Sequence, residues 1–239
     1  MKRLVVLAAL VAAGCVDEVD PVWDLDHDRI IAVRATPPRI PSGEQATLDA
    51  LIGKKGGAPS EEVPAGAMVV SPESLASALA FTGGAWVVTA PDEAQLATAR
   101  TELGLEAGAP VPLVVGVAFP ASTFPSGEVK EGLAATKTIW LGDTAENPVL
   151  APAEINGVDA TVMMEIVIPR EVDVRLRVPF EVTETDVNWL TSCGTMHDYD
   201  LPDAYLHVEP DDPTEGDLAV VVRTEDGGVA WRVWPIRAE

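Results

Sequence analysis

Three groups of residues in this chain have the types and spacing that chemistry needs. Cys193-Gly194-Thr195-Met196-His197 puts a thiol, a thioether and an imidazole within five residues. A thiol beside an imidazole can be activated as a nucleophile. The same set with a second imidazole makes up a blue-copper site. That second imidazole would have to be His27, far upstream, because His207 is expected on a strand with its ring facing water. Asp24-x-Asp26-x-Asp28 has the alternation that opens a calcium loop. Arg29 and Ile30 follow where such a loop needs glycine, and no glutamate closes it. Asp198, Asp200 and Asp203 form a second acidic loop. No Gly-x-Ser-x-Gly elbow occurs. The plainer expectation is structural in each case. Cys193 shares a strand face with Trp189 and packs as a small hydrophobe, His197 lies in a surface loop, and the aspartates are solvated. No catalytic residue, metal ligand or cofactor is therefore assigned. Six tryptophans (Trp23, Trp86, Trp140, Trp189, Trp231 and Trp234) raise a carbohydrate platform as a further idea. Trp86 and Trp189 are more simply core anchors. Trp231 and Trp234 differ by three along a strand and so point to opposite faces, one of which would mark a contact surface.

The residue with the best-defined chemistry is Cys15. Met-Lys-Arg opens the chain, ten apolar residues run from Leu4 to Ala13, and Gly14 precedes Cys15. A basic head, a short apolar stretch and small residues at the exit make a secretory signal. Spanning a bilayer as a helix takes about 20 apolar residues, so this segment is too short. Val11-Ala12-Ala13-Gly14-Cys15 resembles a bacterial lipobox, with alanine at position 12 in place of the usual leucine. The resemblance implies cleavage before Cys15, a diacylglyceryl group on its sulfur and an acylated amine. Two or more chains give stable anchoring, at about 0.8 kcal/mol per buried methylene. Val16, not aspartate, follows the cysteine, which by the same resemblance favours the outer membrane. With Cys15 a thioether, Cys193 is the one thiol left and no intramolecular disulfide can form.

Composition narrows the partners. The 239 residues carry a formal charge of −22, from 16 Lys+Arg against 38 Asp+Glu. Losing Lys2 and Arg3 with a leader makes it more negative still. Such a charge excludes a nucleic-acid binder, which must displace counterions from phosphates with Lys and Arg. It also excludes a polybasic hold on anionic lipid. Hydrophobic content of 47% separates the chain from disordered acidic proteins and allows a real core.

The elements that must position these residues are mostly strands. Residues 15–29 are rich in aspartate and read as a solvated acidic tether. From Ile30 onward, short apolar runs alternate with turns. Strands are expected at 30–35, 46–52, 85–89, 112–119 and 133–141. Pro41-Ser42-Gly43-Glu44, Pro125-Ser126-Gly127-Glu128 and Pro213-Thr214-Glu215-Gly216 each reverse the chain before a strand. Two helices are expected inside 71–104, one begun by Ser71-Pro72-Glu73 and one ended by Gly104. Val172, Val174, Leu176, Val178, Phe180 and Val182 alternate with polar residues, so one face is buried and one wet. Val187, Trp189, Thr191 and Cys193 share a face, Leu206 and Val208 point inward, and 218–236 reads as a hairpin around Glu225-Asp226-Gly227-Gly228.

Three stretches carry a resemblance: Arg29-Ile30-Ile31-Ala32-Val33-Arg34-Ala35-Thr36-Pro37-Pro38, Asn147-Pro148-Val149-Leu150 and Asp226-Gly227-Gly228-Val229-Ala230-Trp231. They are similar to lipoproteins of myxobacterial type with immunoglobulin-like or PKD-like sandwich modules after the lipobox. The resemblance implies a fold and a location, and no catalytic residue. The expectation is thus all-β: signal peptide 1–14, acidic tether 15–29, an immunoglobulin-like sandwich at 30–155 with a helical insertion at 71–104, and a second sandwich at 156–239. One large sandwich with an inserted helical pair fits the strand count as well. The expected role is a non-enzymatic binding or structural module, lipid-anchored at Cys15 to the outer membrane, with a protein or envelope partner. The alternatives are a calcium-binding lipoprotein or an envelope hydrolase.

Overall fold

The computed structural model describes residues 21–120, 132–150, 152–180 and 185–239. The leader, the lipobox with Cys15, the Pro125–Glu128 turn and Val182 lie outside them. The chain is all-β and immunoglobulin-like, with four sheets forming two sandwiches.

The first sandwich contains β1 (Arg29–Thr36), β2 (Arg39–Ile40), β3 (Gln45–Lys54), β4 (Gly57–Glu62), β5 (Gly66–Ser71), β6 (Leu79–Thr82), β7 (Ala85–Thr89), β8 (Val111–Phe119) and β9 (Leu133–Leu141). One sheet runs β1-β3-β7-β6, with β4 also paired to β3. The other runs β2-β9-β8-β5, and β2 joins β9 in parallel. The second sandwich contains β10 (Glu154–Ile155), β11 (Val158–Asp159), β12 (Ile166–Ile168), β13 (Val174–Arg177), β14 (Thr185–Thr191), β15 (Thr195–His197), β16 (Asp203–His207), β17 (Glu215–Thr224) and β18 (Val229–Ala238). Its sheets run β11-β10-β13-β16-β15 and β12-β18-β17-β14, with β12 parallel to β18. The two halves therefore repeat one plan. An early strand, β2 in the first and β12 in the second, lies in the opposite sheet from the opening strand and pairs in parallel with the last, and that last strand and two more, mutually antiparallel, complete the sheet. Trp189 is fully buried on β14, the strand that carries the core tryptophan in immunoglobulin sandwiches.

Each core follows the period-2 alternation of its strands. Ala46, Leu48, Ala50 and Ile52 of β3 face Val111, Leu113, Val115 and Val117 of β8 across the first core. Val174 and Leu176 meet Trp189, Leu218, Val220 and Trp234 in the second. The inward set at Leu206 and Val208 is as expected, with Tyr205 pointing out.

Three features depart from the expectations. The first expected helix is a 3-10 segment, Glu73–Ala78, with non-helical dihedrals at Leu75 and no side-chain cap. Ser71 ends β5 instead of capping a helix, and β6 follows at once. The second helix forms as α1 (Glu93–Leu103): Asp92 Oδ1 accepts from Gln95 N at 2.9 Å, and Gly104 closes it at φ 66. The expected boundary between 155 and 156 falls at a hairpin rather than in a linker. Asn156 and Gly157 both have positive φ and form the tip of the β10–β11 hairpin, within the second sandwich. The described part of the acidic tether is also not a free linker but is docked on the second sandwich. Leu25 is 1% exposed, and Trp23 and Leu25 exchange backbone hydrogen bonds with Thr191. No helix among the described residues is long and apolar enough to cross a membrane.

Candidate functional site

The residues singled out for chemistry do not converge. Cys193 is buried, its Sγ donates to Pro213 O at 3.0 Å, and burial pushes the thiol up from its ordinary value. His197 is exposed, and Met196 between them is in the core. A buried thiol bonded to a backbone carbonyl, with its pKa raised, lacks the accessible, electropositive setting that activates a cysteine. His207 is half-buried on the outer side of β16 and pairs with Asp173 at 2.7 Å, which raises its pKa. The first acidic run binds backbone. Asp24 Oδ1 accepts from Asp26 N at 2.8 Å, Asp26 Oδ1 from Gly56 N at 2.6 Å, and Asp28 Oδ1 from Lys55 N at 3.2 Å. Asp26 and Asp28 thus brace the β3–β4 turn, and Asp24 bonds within its own segment, so the three do not face one ion. In the second run, Asp203 pairs with Arg175 on the sheet surface. No metal-ligating cluster occurs among the described residues. Cys15, the expected lipid site, lies outside them.

What does converge is the joint between the two sandwiches. A third apolar cluster joins Leu25, Ile31, Ala32 and Leu51 to Leu190, Ala219, Val221, Val229 and Trp231. Here the outer face of the β1–β3 sheet covers the outer face of the β14-β17-β18 sheet. Leu218 to Val222 are consequently buried on both faces of β17, all at 0% exposure. Trp231 and Trp234 do point to opposite faces. Trp234 enters the second core, where its Nε1 donates to Ala160 O at 2.9 Å. Trp231, 9% exposed, is a contact residue inside the chain. The Arg34 guanidinium lies 3.9 Å over its ring, and its Nε1 donates to Glu61 Oε1 at 2.7 Å.

Polar ties complete the joint. The β17–β18 turn reaches the first sandwich, where Lys137 Nζ donates to Gly227 O at 2.6 Å. Arg39 Nε donates to Asp226 O at 3.0 Å, and its Nη2 pairs with Asp226 Oδ1 at 2.9 Å. Gly227 has φ +83, and a Cβ there would touch the Trp140 ring at 3.4 Å, so glycine suits both the turn and the close approach. Asn147 bridges both halves: its Nδ2 donates to Ala35 O at 2.9 Å and its Oδ1 accepts from Val229 N at 2.9 Å. Burial at this seam, with Arg223 adding repulsion, lowers Lys137 to about 8. The three stretches quoted for their resemblance, around Arg34, Asn147 and Asp226–Trp231, are thus the parts that meet at the joint.

The corresponding face of the first sandwich is uncovered. The outer face of β5, β8 and β9 is a shallow apolar groove of about 690 Å³ lined by Met68, Val70, Gly116, Ala118, Ala134 and Thr136. Met68 is 66% exposed and Val70 55%. Small residues on β8 and β9 make its floor, because Gly116 has no side chain and pairs with Met68 across the ladder. β5 is also the edge of its sheet. The run Gly66-Ala67-Met68-Val69-Val70-Ser71, uncharged and β-prone, was the available sequence signal for this edge. The five-residue run Leu218–Val222 was the signal for the joint, since a strand buried on both faces reads as continuous apolar sequence.

No protein-family model matches the chain, and no curated protein matches it in sequence. Solved structures align with it loosely. The N-terminal Ig1-2 module of the Drosophila receptor protein tyrosine phosphatase DLAR is 9% identical over 89% of this chain and 98% of its own, at a TM-score of 0.31. Murine CEACAM1b is 8% identical over 87% and 100%, at 0.28. A nucleoside hydrolase-related hypothetical protein from Saccharophagus degradans is 11% identical over 40% of this chain and 26% of its own, at 0.31. Likenesses this loose carry no argument, and the immunoglobulin-like architecture rests on the strand pairing above.

Proposed function

We propose that the protein is a non-enzymatic, lipid-anchored module of the bacterial cell envelope. It is held to the outer membrane through an acylated Cys15 and engages another envelope protein through the open face of β5, β8 and β9. The carrying observation is that face: apolar, exposed, and equivalent in topology to the one that the chain covers in its second half. An uncovered apolar surface of this kind marks an interaction site. The covered counterpart indicates what such a face accepts, namely another sheet presenting Ile, Ala and Leu side chains. A second copy is a poor fit. The same open face on a second copy offers no Ile or Leu side chain, the outer face of the β13–β16 sheet presents Arg175, Arg177, Tyr205 and His207, and two chains of formal charge −22 repel. The occupant is therefore an apolar sheet face of a different protein.

Two experiments test the reading. Cys15→Ser is expected to remove the lipid mass from the N-terminus and move the protein out of the membrane fraction, and unchanged partition would end the anchoring half. Cross-linking of the lipidated chain in whole envelopes is expected to yield one defined adduct that Ala118→Asp abolishes without altering the circular-dichroism spectrum. An adduct with the mass of two copies of this chain would replace the heterologous partner by self-association.

A further inference from the structure

On the flank away from β1 and β2, the first sandwich ends in two strands that each have a neighbour on one side only, β5 in one sheet and β6 in the other. The 3-10 segment Glu73–Ala78 joins them. A strand edge carries a row of unpaired N–H and C=O groups, and proteins blunt it with charged side chains or proline. Neither strand carries such a guard. Residues 63–91 hold a single charged side chain, Glu73, in a chain that is 23% charged, and it lies in the 3-10 segment between the strands. Of the two, β5 adjoins the open groove. Met68 and Val70 are part of the groove wall, and Gly116 of β8 lies opposite Met68 in the ladder. Because β5 pairs with β8 alone, alternate residues turn their N–H and C=O to the open side. No backbone hydrogen bond among the described residues meets them there. A register shift between Val69 and Ser71 interrupts the far end, which leaves Gly66–Val69 as the regular stretch.

We infer that the partner is held by strand addition: an uncharged, extended segment of it pairs with the free edge of β5 along Gly66–Val69. The inference rests on the reading of the open face as a docking surface and adds which atoms hold the partner. What the edge offers decides the occupant. Main-chain donors and acceptors at strand spacing fit another strand, and every second side chain of that strand then lies beside Met68 and Val70 on the apolar face. A charged segment is a poor occupant, since an ion set against Met68 and Val70 loses water and meets no counter-charge on β5. The β5 edge of a second copy is equally uncharged, but it brings a further formal charge of −22 with it. The β6 edge is the weaker site. It is four residues long, and its exposed Phe81 is already packed edge-on against Trp86 at 5.3 Å, away from the groove.

The probe is a blocked peptide, Thr-Val-Thr-Val-Thr-Val-Thr. Titrated into the purified full chain and followed by amide signals in heteronuclear magnetic resonance, it is expected to give saturable shifts that are largest at Gly66–Val69. The same peptide N-methylated at its inner amides keeps every side chain but cannot pair, and should bind about tenfold or more weakly. Ala67→Pro and Met68→Pro supply the protein side of the test. Neighbouring residues turn their N–H groups to opposite sides, so one of the two substitutions spares the ladder with β8. The variant that keeps the wild-type near-ultraviolet circular dichroism is expected to lose the peptide. Absence of saturable shifts would overturn the inference, as would equal binding of the two peptides, shifts centred on another strand, or full binding by the folded proline variant. A dimer of the free chain that the peptide dissociates would replace the partner's strand by the β5 of a second copy. If the envelope adduct survives in the folded proline variant yet vanishes with Ala118→Asp, the face docks its partner without the edge, and this inference falls while the proposed function stands. Absence of any adduct counts against the proposed function alone, because the peptide titration does not depend on it.

Discussion

The two sandwiches share a strand plan but treat the same sheet face differently. In the second, the outer face of β14, β17 and β18 lies against β1 and β3, and Ala219 and Val221 are fully buried there. In the first, the outer face of β5, β8 and β9 meets solvent, and Met68 and Val70 stand exposed. The residues differ accordingly. The covered face uses Trp231, Val221 and Leu190, with Arg34 and Asn147 from the other half meeting its polar groups. The open one is floored by Gly116, Ala118 and Ala134, which leave a groove in place of a packed layer. A sheet face of this plan is thus either a building surface or a docking surface, according to side-chain volume and what arrives from elsewhere in the chain.

The sharpest test puts the same substitution on both faces. Ala219→Asp buries a carboxylate at the joint and is expected to cost several kcal/mol, on the order of 4 or more, with loss of the folded state in urea titration. Ala118→Asp, at the equivalent strand of the open face, forms the other end of the comparison and closes the series below. If Ala219→Asp left the urea midpoint unchanged, the two faces would not differ in the way described.

Trp231→Ala comes next, with an expected cost of about 3–5 kcal/mol from lost packing, the Arg34 stack and the Glu61 hydrogen bond. Because Trp231 ties the halves together, the single unfolding transition expected of the wild type should separate into two, resolved by calorimetry. A single transition at a lower temperature would show that the other ties suffice.

Lys137 gives a test in pH. Burial holds its folded pKa at about 8, below its ordinary value of 10.5, so unfolding takes up a proton between these values. Stability therefore rises as pH increases from about 8 toward 10.5, by up to roughly 3 kcal/mol, and the cost of the buried charge is fully present below 8. Lys137→Met should flatten that rise relative to wild type. An equal rise in both proteins would mean that Lys137 does not feel the seam.

The smallest effect is expected from Ala118→Asp itself, within about 0.5 kcal/mol of wild type in urea. Its consequence should be for binding alone. A large loss of stability there would mean that the face is already covered within the chain.

Much of the fold was legible because strand period reports burial directly. Val174 and Leu176 alternate with Asp173, Arg175 and Arg177, and the structure buries the first set and exposes the second. The Asp92 cap and Gly104 stop were equally local signals for α1. Ser71-Pro72-Glu73 looked like a similar start, but pairing of Ser71 with β8 and the immediate onset of β6 outweighed the local pattern. The candidate site was legible only in fragments. Trp231 could be assigned to the face opposite Trp234, yet nothing in its neighbours says that this face meets Ile31 and Leu51.

Local order thus determined which residues turn, which alternate and which could carry chemistry, because dihedral preference and a two-residue period act over a few positions. Tertiary structure decided that Asp26 and Asp28 brace a turn, that Leu25 is buried, and that one sheet face is covered while its counterpart is open. Each of those depends on groups brought together from distant parts of the chain, and strand periodicity does not encode which face will meet which.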